Sequence, residues 1–400
     1  MSDANRTVLR YVEETTFGEV PSGPPKFTNL RETGEGLKGT KQTEMSEEIR
    51  DDRQIPGIIR TGEAAEGDLN IELSYGSYDE FLAAVLMAAS WAGAGTVVSA
   101  AAVDVTAISK LFTIAAGTWA VTPTAGAWVR VSGYTGAAIV NNGYFKVAAT
   151  PAPTTTTFVV ENGDDLVDAS GAGETITQGD SIVNGVAENS YSIEREHTDL
   201  ATTFELYRGM TIENLSMDIP VDGRITGTFG FMGKDEQAKT ATSGDGSPTA
   251  QNDNDIVSSA NDIQFINLDH GSVCLLSGSF EITNNLREIR CAGELSLNSI
   301  GVGRFGVTGD AELLFSDNTQ KSKYLAHAAI ALAVAIEDGM DTGALGLGNG
   351  YVFELPSAQI SDDETVASGV DTELSESISW EAFMDATEDI TMRITRFPAA

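Results

Sequence analysis

The sequence predicts a mainly β fold, a β-sandwich or barrel with a flanking helix, built twice and carrying an inserted small all-β domain. Three observations predict it. Leu69, Ile71 and Leu73 alternate with Asp68, Asn70 and Glu72, the pattern of a half-buried strand. From Tyr78 the period changes: Phe81, Leu82, Val85, Leu86 and Ala89 recur at three and four residues behind Asp79 and Glu80, which favours a helix with acids in its first turn. The same module then returns. Gly309-Asp310, Phe315-Ser316 and Tyr324-Leu325-Ala326 echo Gly67-Asp68, Leu73-Ser74 and Phe81-Leu82-Ala83, with one residue inserted before the helix. Residues 96–186, rich in Ala, Thr, Gly and Val, are short runs between turn signals such as Asn142-Gly143 and Asn162-Gly163-Asp164. They read as a small β domain inserted in a loop.

In chain order, Thr7 to Glu13 is a short strand stopped by the Gly/Pro cluster at Gly18 to Pro25. Lys26 to Arg60 alternates but holds few large apolar residues, so it reads as a two-stranded ribbon that reaches away from the core and needs another surface to lie on. Residues 1–95, with this arm at 26–60, form the first part of the first repeated unit. Residues 187–240 complete it, with strands at Ser190 to Glu196, Ala201 to Arg208, Met210 to Val221 and Arg224 to Met232, the last two closed by Asp222-Gly223. Lys234 to Asp255 shows no period, and 241–258 reads as the linker between units. The second unit, 259–400, has strands at Ile263 to Leu268, Ser272 to Ile282, Arg287 to Leu297 and Val307 to Phe315. A helix at Thr319 to Ile330 follows, then strands at Ala331 to Ile336, Tyr351 to Ile360, Glu373 to Phe383 and Asp389 to Phe397. Without the insert, the remaining chain divides into two pieces of ordinary domain size.

Apolar residues make up 41 % of the chain, enough to bury a core in each unit. No apolar run is long enough to span a bilayer; the longest, Ala326 to Ile336, lies against Asp338 and Gly339. The N-terminus lacks a signal-type apolar run, so folding in a cytosol is expected, with no membrane partner. Cys274 and Cys291 sit in alternating runs without a nearby His or Cys at metal spacing and read as buried thiols.

Net charge is −35, unevenly spread. Residues 1–60 hold 9 basic and 11 acidic residues, whereas 61–400 hold 15 basic and 48 acidic. So acidic a body repels polyphosphate, which excludes specific nucleic-acid binding, since that affinity comes from Lys and Arg neutralising the backbone.

No stretch carries a catalytic, cofactor or metal signature. Gly301-Val302-Gly303-Arg304-Phe305-Gly306 matches a dinucleotide pattern, but a strand rather than a helix follows it, so it reads as a glycine-rich bend. Asp253-Asn254-Asp255 and Asp362-Asp363-Glu364 lack the Gly and Glu of a calcium loop. The histidines, His197, His270 and His327, lie in no triad or zinc motif. No enzyme activity is expected.

Taken together, the chain resembles the tail tube (major tail) proteins of long-tailed bacteriophages. The resemblance rests on the arm Leu30 to Arg60 with Ser46-Glu47-Glu48-Ile49-Arg50 and Asp52-Arg53, and on the module Gly67 to Leu86. It rests further on Arg208-Gly209-Met210 to Met232-Gly233-Lys234, on Ile282 to Phe315 with Asn284-Asn285-Leu286, and on Ile394-Thr395-Arg396. The resemblance implies six-fold or pseudo-six-fold rings stacked into a tube through which genomic DNA leaves, with inner sheets joined into a barrel and the arm reaching the neighbouring ring. It implies a virion tail protein, assembled in the host cytoplasm with other tail proteins. On that reading an acidic lumen lets DNA slide without adhering. The nearly neutral arm, with Arg31, Lys38, Lys41, Arg50, Arg53 and Arg60, docks on the acidic body of the next ring. If the fold is duplicated, three chains make a pseudo-six-fold ring, with a hexamer as the alternative. The insert lies outside, which suits a non-contractile tail. The rival expectation is a surface adhesin that holds a glycan on Trp119, Trp128 and Tyr134 of the insert.

Overall fold

A computed structural model of the chain describes residues 4–399 apart from 270, 339–347, 368, 371 and 372. The fold is mainly β, organised as a sandwich of two layers. In the front layer the arm strand Lys38–Met45 pairs with Ile58–Glu72, Ile58–Glu72 with Thr226–Gly233, and Thr226–Gly233 with the outer part of the long strand Phe204–Pro220. The inner part of that long strand lies in the back layer, between Tyr191–His197 and Asp235–Lys239, and Tyr191–His197 pairs with Thr7–Glu13. One strand serves both layers because it bends at Gly209. There φ is +66° and a side chain would meet the Phe17 ring and Lys234, a corner only glycine turns without strain.

The helix Asp79–Val85 fills the space between the layers. Its Phe81 ring meets Tyr11, Tyr191, Phe229 and Phe231, tilted or edge-on contacts that favour aromatic packing. Phe81, Leu82 and Val85 of the spacing read from the sequence are buried on this helix, but the helix ends at Val85, so Leu86 is its C-cap and Ala89 lies beyond it, exposed.

The same connectivity occurs in the second half. Leu275–Thr283 pairs with Gly306–Leu314, that strand with Leu374–Ala382, and Leu374–Ala382 with the outer part of a second long strand, Gly350–Ala367. The inner part of Gly350–Ala367 pairs with Ala329–Glu337 and Arg393–Phe397, and Ala329–Glu337 with Ile263–Leu268. The helix Thr319–Ala326 holds the position of the first helix in this order. The halves join edge to edge: Asn214 to Pro220 of the first long strand pairs with Leu275 to Thr283. One front sheet thus runs through both.

The insert has its own core, built around Val97, Phe112, Phe145, Phe158 and Ile176 between a four-stranded and a three-stranded sheet. It packs on the back layer of the second half. Trp128, Tyr144 and Phe397 form a common cluster with Ala335 and Val352, while Tyr351, Phe353 and Leu355 face the main core. That two-sided burial explains the unbroken apolar run there. Charges fix the seat: Lys146 meets Glu354 at 2.6 Å, Arg393 donates to the Gly126 carbonyl at 2.6 Å, and Arg130 donates to the Gly348 carbonyl at 2.7 Å. Trp128 stacks on Phe265 and donates to Glu354 at 2.8 Å. Trp128→Ala is expected to cost about 3–5 kcal/mol through the lost ring and the cavity left behind, read as a lower urea midpoint.

Several boundaries differ from the sequence expectation. The chain re-enters the main fold at Asp180–Val183, which pairs with Arg393–Phe397, so the insert ends before residue 186. The second helix stops at Ala326, where His327 takes a left-handed conformation, and Ile330 belongs to the next strand. Only Arg287–Ile289 of the expected Arg287 to Leu297 strand forms. The stretch read as a linker begins with a strand, Asp235–Lys239, and its remainder is tied down: Thr249 bridges Thr28, Ile256 bridges Ser74, and Asn252 and Asn254 donate to the Tyr75 carbonyl. Polar bonds, which leave no hydrophobic period, hold it. Cys274 and Cys291 are exposed rather than buried, because Cys274 precedes its strand and Cys291 lies in a turn where Asn298 approaches its sulfur.

Candidate functional surface: an acidic sheet face and a projecting arm

The front sheet turns one face to the core and the other to solvent, so alternate residues of every strand define its outer surface. Strand register places Glu72, Thr226, Asp218, Ser279, Asp310, Ser379 and Asp362 in one row across seven strands. A second row reads Asn70, Thr228, Ser216, Glu281, Thr308 and Glu381. A third reads Ser277, Glu312, Ser377 and Glu364. Each acid in these rows lies opposite a hydroxyl, never opposite another acid. Directly opposed like charges destabilise a sheet, and this alternation lets the rows carry many carboxylates without that cost. Hydrogen bonds across the strands hold the pattern, with Asn214 donating to Glu281 at 3.1 Å and Thr228 to Asn70 at 2.8 Å. Among the described residues of these rows there is no Lys or Arg. Sequence alternation identified outward Asp68, Asn70 and Glu72, but the meeting of Asp218, Asp310 and Asp362 depends on register between strands far apart in the chain.

The arm extends one edge of this sheet. Beyond residue 41 it packs on little: Met45, Ile49, Ile55, Ile58 and Ile59 are exposed, Ile49 to 98 %. An apolar patch of this kind on a polar ribbon marks a contact surface. The six arm cations separate into groups. Arg31 donates to Asn252 and Asn254 of its own chain at 2.7–3.5 Å, so it anchors the arm's root instead of projecting from it. Lys38 pairs with Glu66 at 3.2 Å, Arg50 with Asp52 at 3.0 Å, and Arg60 with Glu63. Lys41 and Arg53 are exposed, and neither has an ion pair among the described residues.

At the opposite edge of the front sheet, Asp363 and Glu376 are buried side by side. Lys321 donates to Asp363 Oδ1 at 3.0 Å, and the Asp363 and Glu376 carboxyls share a hydrogen bond. Burial first, and then neighbouring Asp363, pushes the Glu376 carboxyl up to about 7. Because this folded-state value exceeds the ordinary one, the unfolded chain ionises first, and stability from this group is lost as pH rises from about 4.5 through 7. Glu376→Gln is expected to gain stability relative to the unsubstituted single chain over that interval, measured as the difference in Tm between pH 5 and pH 8.

The residues proposed for other functions are otherwise employed. Trp119, Trp128 and Tyr134 are buried, Trp128 at the insert's seat and Tyr134 donating to the Val103 carbonyl at 2.6 Å. The glycan reading therefore loses its aromatic surface. The glycine-rich stretch at 301–306 joins two strands, Ser299–Gly301 and Gly306–Leu314, with no helix to receive a pyrophosphate. His197 lies 3.8 Å from Glu205, His327 caps the second helix, and His270 lies outside the described residues. No described helix is long and apolar enough to cross a membrane.

No curated protein matches the chain. A family model described as phage tail tube protein matches residues 4–382, nearly the whole length. The chain belongs to the phage tail tube protein family, whose members are structural components of the virion tail that self-assemble into a tube with other tail proteins.

Proposed function

We propose that the front sheet lines the bore of the tube and that its acidic rows conduct genomic DNA during ejection without binding it. The observation that carries this reading is the sheet face on which carboxylates alternate with hydroxyls, the row positions holding no Lys or Arg among the described residues and cations touching the face only at its ends, where Arg224 pairs with Glu72 and Lys38 with Glu66. A polyanion meets repulsion along such a wall, where the two cations at its end, Arg224 and Lys38, are already paired with glutamates. The insert packs on the opposite layer, which supports its lying outside the tube if the front sheet lines the bore and suits a non-contractile tail. Because the connectivity occurs twice in each chain, three chains supply six equivalent units, and a trimeric ring with pseudo-six-fold symmetry is favoured over a hexamer. The arm tip, with its exposed isoleucines and Arg53, reaches a neighbouring ring. No step of this function requires catalysis.

Negative-stain images of the purified protein test the tube, and native mass spectrometry of released rings counts chains. Hollow cylinders with three chains per ring are expected. A persistent monomer under all assembly conditions, or insert density inside the bore, overturns the proposal.

A further inference from the structure

The two helices hold equivalent places in the chain but are anchored differently. Asp79–Val85 buries Phe81, Leu82, Ala83, Ala84 and Val85, whereas Thr319–Ala326 buries only Gln320, keeps Tyr324 half-buried and leaves Leu325 74 % exposed. The apolar packing that holds a short helix in place is therefore almost absent from the second. A polar contact stands in for it: Lys321 donates to the Asp363 carbonyl at 2.6 Å and to Asp363 Oδ1 at 3.0 Å. The Tyr324 ring, 5.4 Å from the same amine, braces it.

Register shows how unusual the acids at this contact are. Asp68 faces Gly230 and Asp310 faces Ser379, so these pairs are equivalent in the two halves. Counted on from that match, Asp363 stands where Leu215 stands and Glu376 where Gly227 stands. The first half fills these core-facing positions with a leucine and a glycine; the second fills them with two carboxyls. The Asp363 side chain is wholly buried, and Glu376 is 3 % exposed. The two share a hydrogen bond, and burial first, then Asp363, holds the Glu376 carboxyl up to about 7, so that it carries a proton in much of the population at neutral pH. A primary amine thus touches a carboxyl that a second, protonated acid also touches.

We propose that Lys321 and Asp363 condense to an intramolecular amide, with Glu376 as the acid–base catalyst, so that the chain covalently ties its second helix to the outer part of Gly350–Ala367. The hydrogen bond to Asp363 raises the Lys321 pKa, so the pair starts as ammonium and carboxylate. A proton crosses from Nζ to Oδ1, leaving a neutral amine and a neutral acid. Glu376 gives its proton to the other carboxyl oxygen, which makes Cγ electrophilic, and Nζ attacks Cγ. Glu376 then takes a proton from the nitrogen, passes it to Oδ1, which leaves as water, and recovers its own from the remaining oxygen. One ammonium and one carboxylate become one amide and one water, Glu376 is unchanged, and no co-reactant is consumed. A nitrogen already in contact with a carboxyl oxygen needs only a side-chain rotation to reach the attack distance of about 3–3.5 Å on its carbon. The burial of Asp363 keeps out the bulk water that would hydrolyse the product.

The amide removes the Asp363 charge but leaves Glu376 buried, so the larger cause of its raised pKa, and with it the pH dependence expected of Glu376→Gln, persists. The inference does not depend on the tube reading and is tested on the purified full-length chain. After incubation at neutral pH, intact mass spectrometry is expected to find the chain lighter than its sequence by one water, and a protease digest to yield a peptide pair linked through Lys321 and Asp363. Asp363→Asn should reach the same final mass by losing ammonia instead, an outcome that dehydration elsewhere in the chain does not reproduce. Lys321→Arg keeps the ion pair without an amine nucleophile and should retain its full mass. Glu376→Ala, in which the lysine and the aspartate both remain, should also retain it. A chain at full sequence mass with no linked pair overturns the proposal, as does loss of water by Lys321→Arg. Undiminished linkage in Glu376→Ala overturns the catalytic role given to Glu376.

Discussion

Virions whose tail tube carries Asp218→Lys, Asp310→Lys and Asp362→Lys are expected to stall during ejection and to hold DNA in the tail. These three residues are exposed on one row of the front sheet, each opposite a serine or threonine, so the substitutions leave the core untouched and create no opposed like charges along the row. A ring of three such chains presents enough lysines to neutralise about 6–10 phosphates, a number whose affinity falls roughly 10³–10⁵-fold between 50 and 200 mM salt. Release followed with a DNA-binding dye should therefore be severely slowed at low salt and recover as salt rises. The matching Asn variant should eject normally, because removing negative charge does not by itself create affinity. Normal release by the lysine variant at low salt would remove the front sheet from the bore.

The second large effect concerns the arm tip. Ile49→Asp together with Ile55→Asp should leave thermal unfolding of the single chain unchanged within about 0.5 kcal/mol, since both side chains are already exposed. Yet assembly should fail, because each aspartate would have to be buried unpaired against the neighbouring ring. Sedimentation of the variant as rings or single chains, with tubes absent from micrographs, is the expected result. Tubes of normal length would show that the isoleucines cover nothing.

Much of the architecture was legible because it is local. Strands such as Thr7–Glu13 and Ile263–Leu268 matched the sequence reading at both ends, since alternation over a few residues reports which face is buried. The arm ribbon was readable from its composition: with few large apolar residues it has little of its own to fold around. Other features were hidden because their stabilising contacts come from distant residues. Polar side chains tie down the stretch after Lys239, and hydrogen bonds carry no periodicity. The aromatic residues of the insert looked like a surface for sugars, but a tryptophan in a short strand looks the same whether it meets solvent or, like Trp128, a neighbouring unit. Arg31 sat among arm cations in sequence, and only its contacts with Asn252 and Asn254 separate it from them.

By itself the sequence determined a β-rich chain carrying a repeated strand-to-helix module, an acidic body unsuited to holding nucleic acid, and a polar arm in need of a partner. These follow from composition and short-range period, which every copy of the chain carries wherever it folds. The tertiary structure alone decided which carboxylates share a face, where the insert sits, and which strand edges are left open. Those depend on register, and a shift of one residue would exchange the buried and exposed sides of a strand. The joining of Asn214–Pro220 to Leu275–Thr283, which aligns Asp218 with Asp310, is therefore the step at which a negatively charged sequence becomes an acidic sheet face.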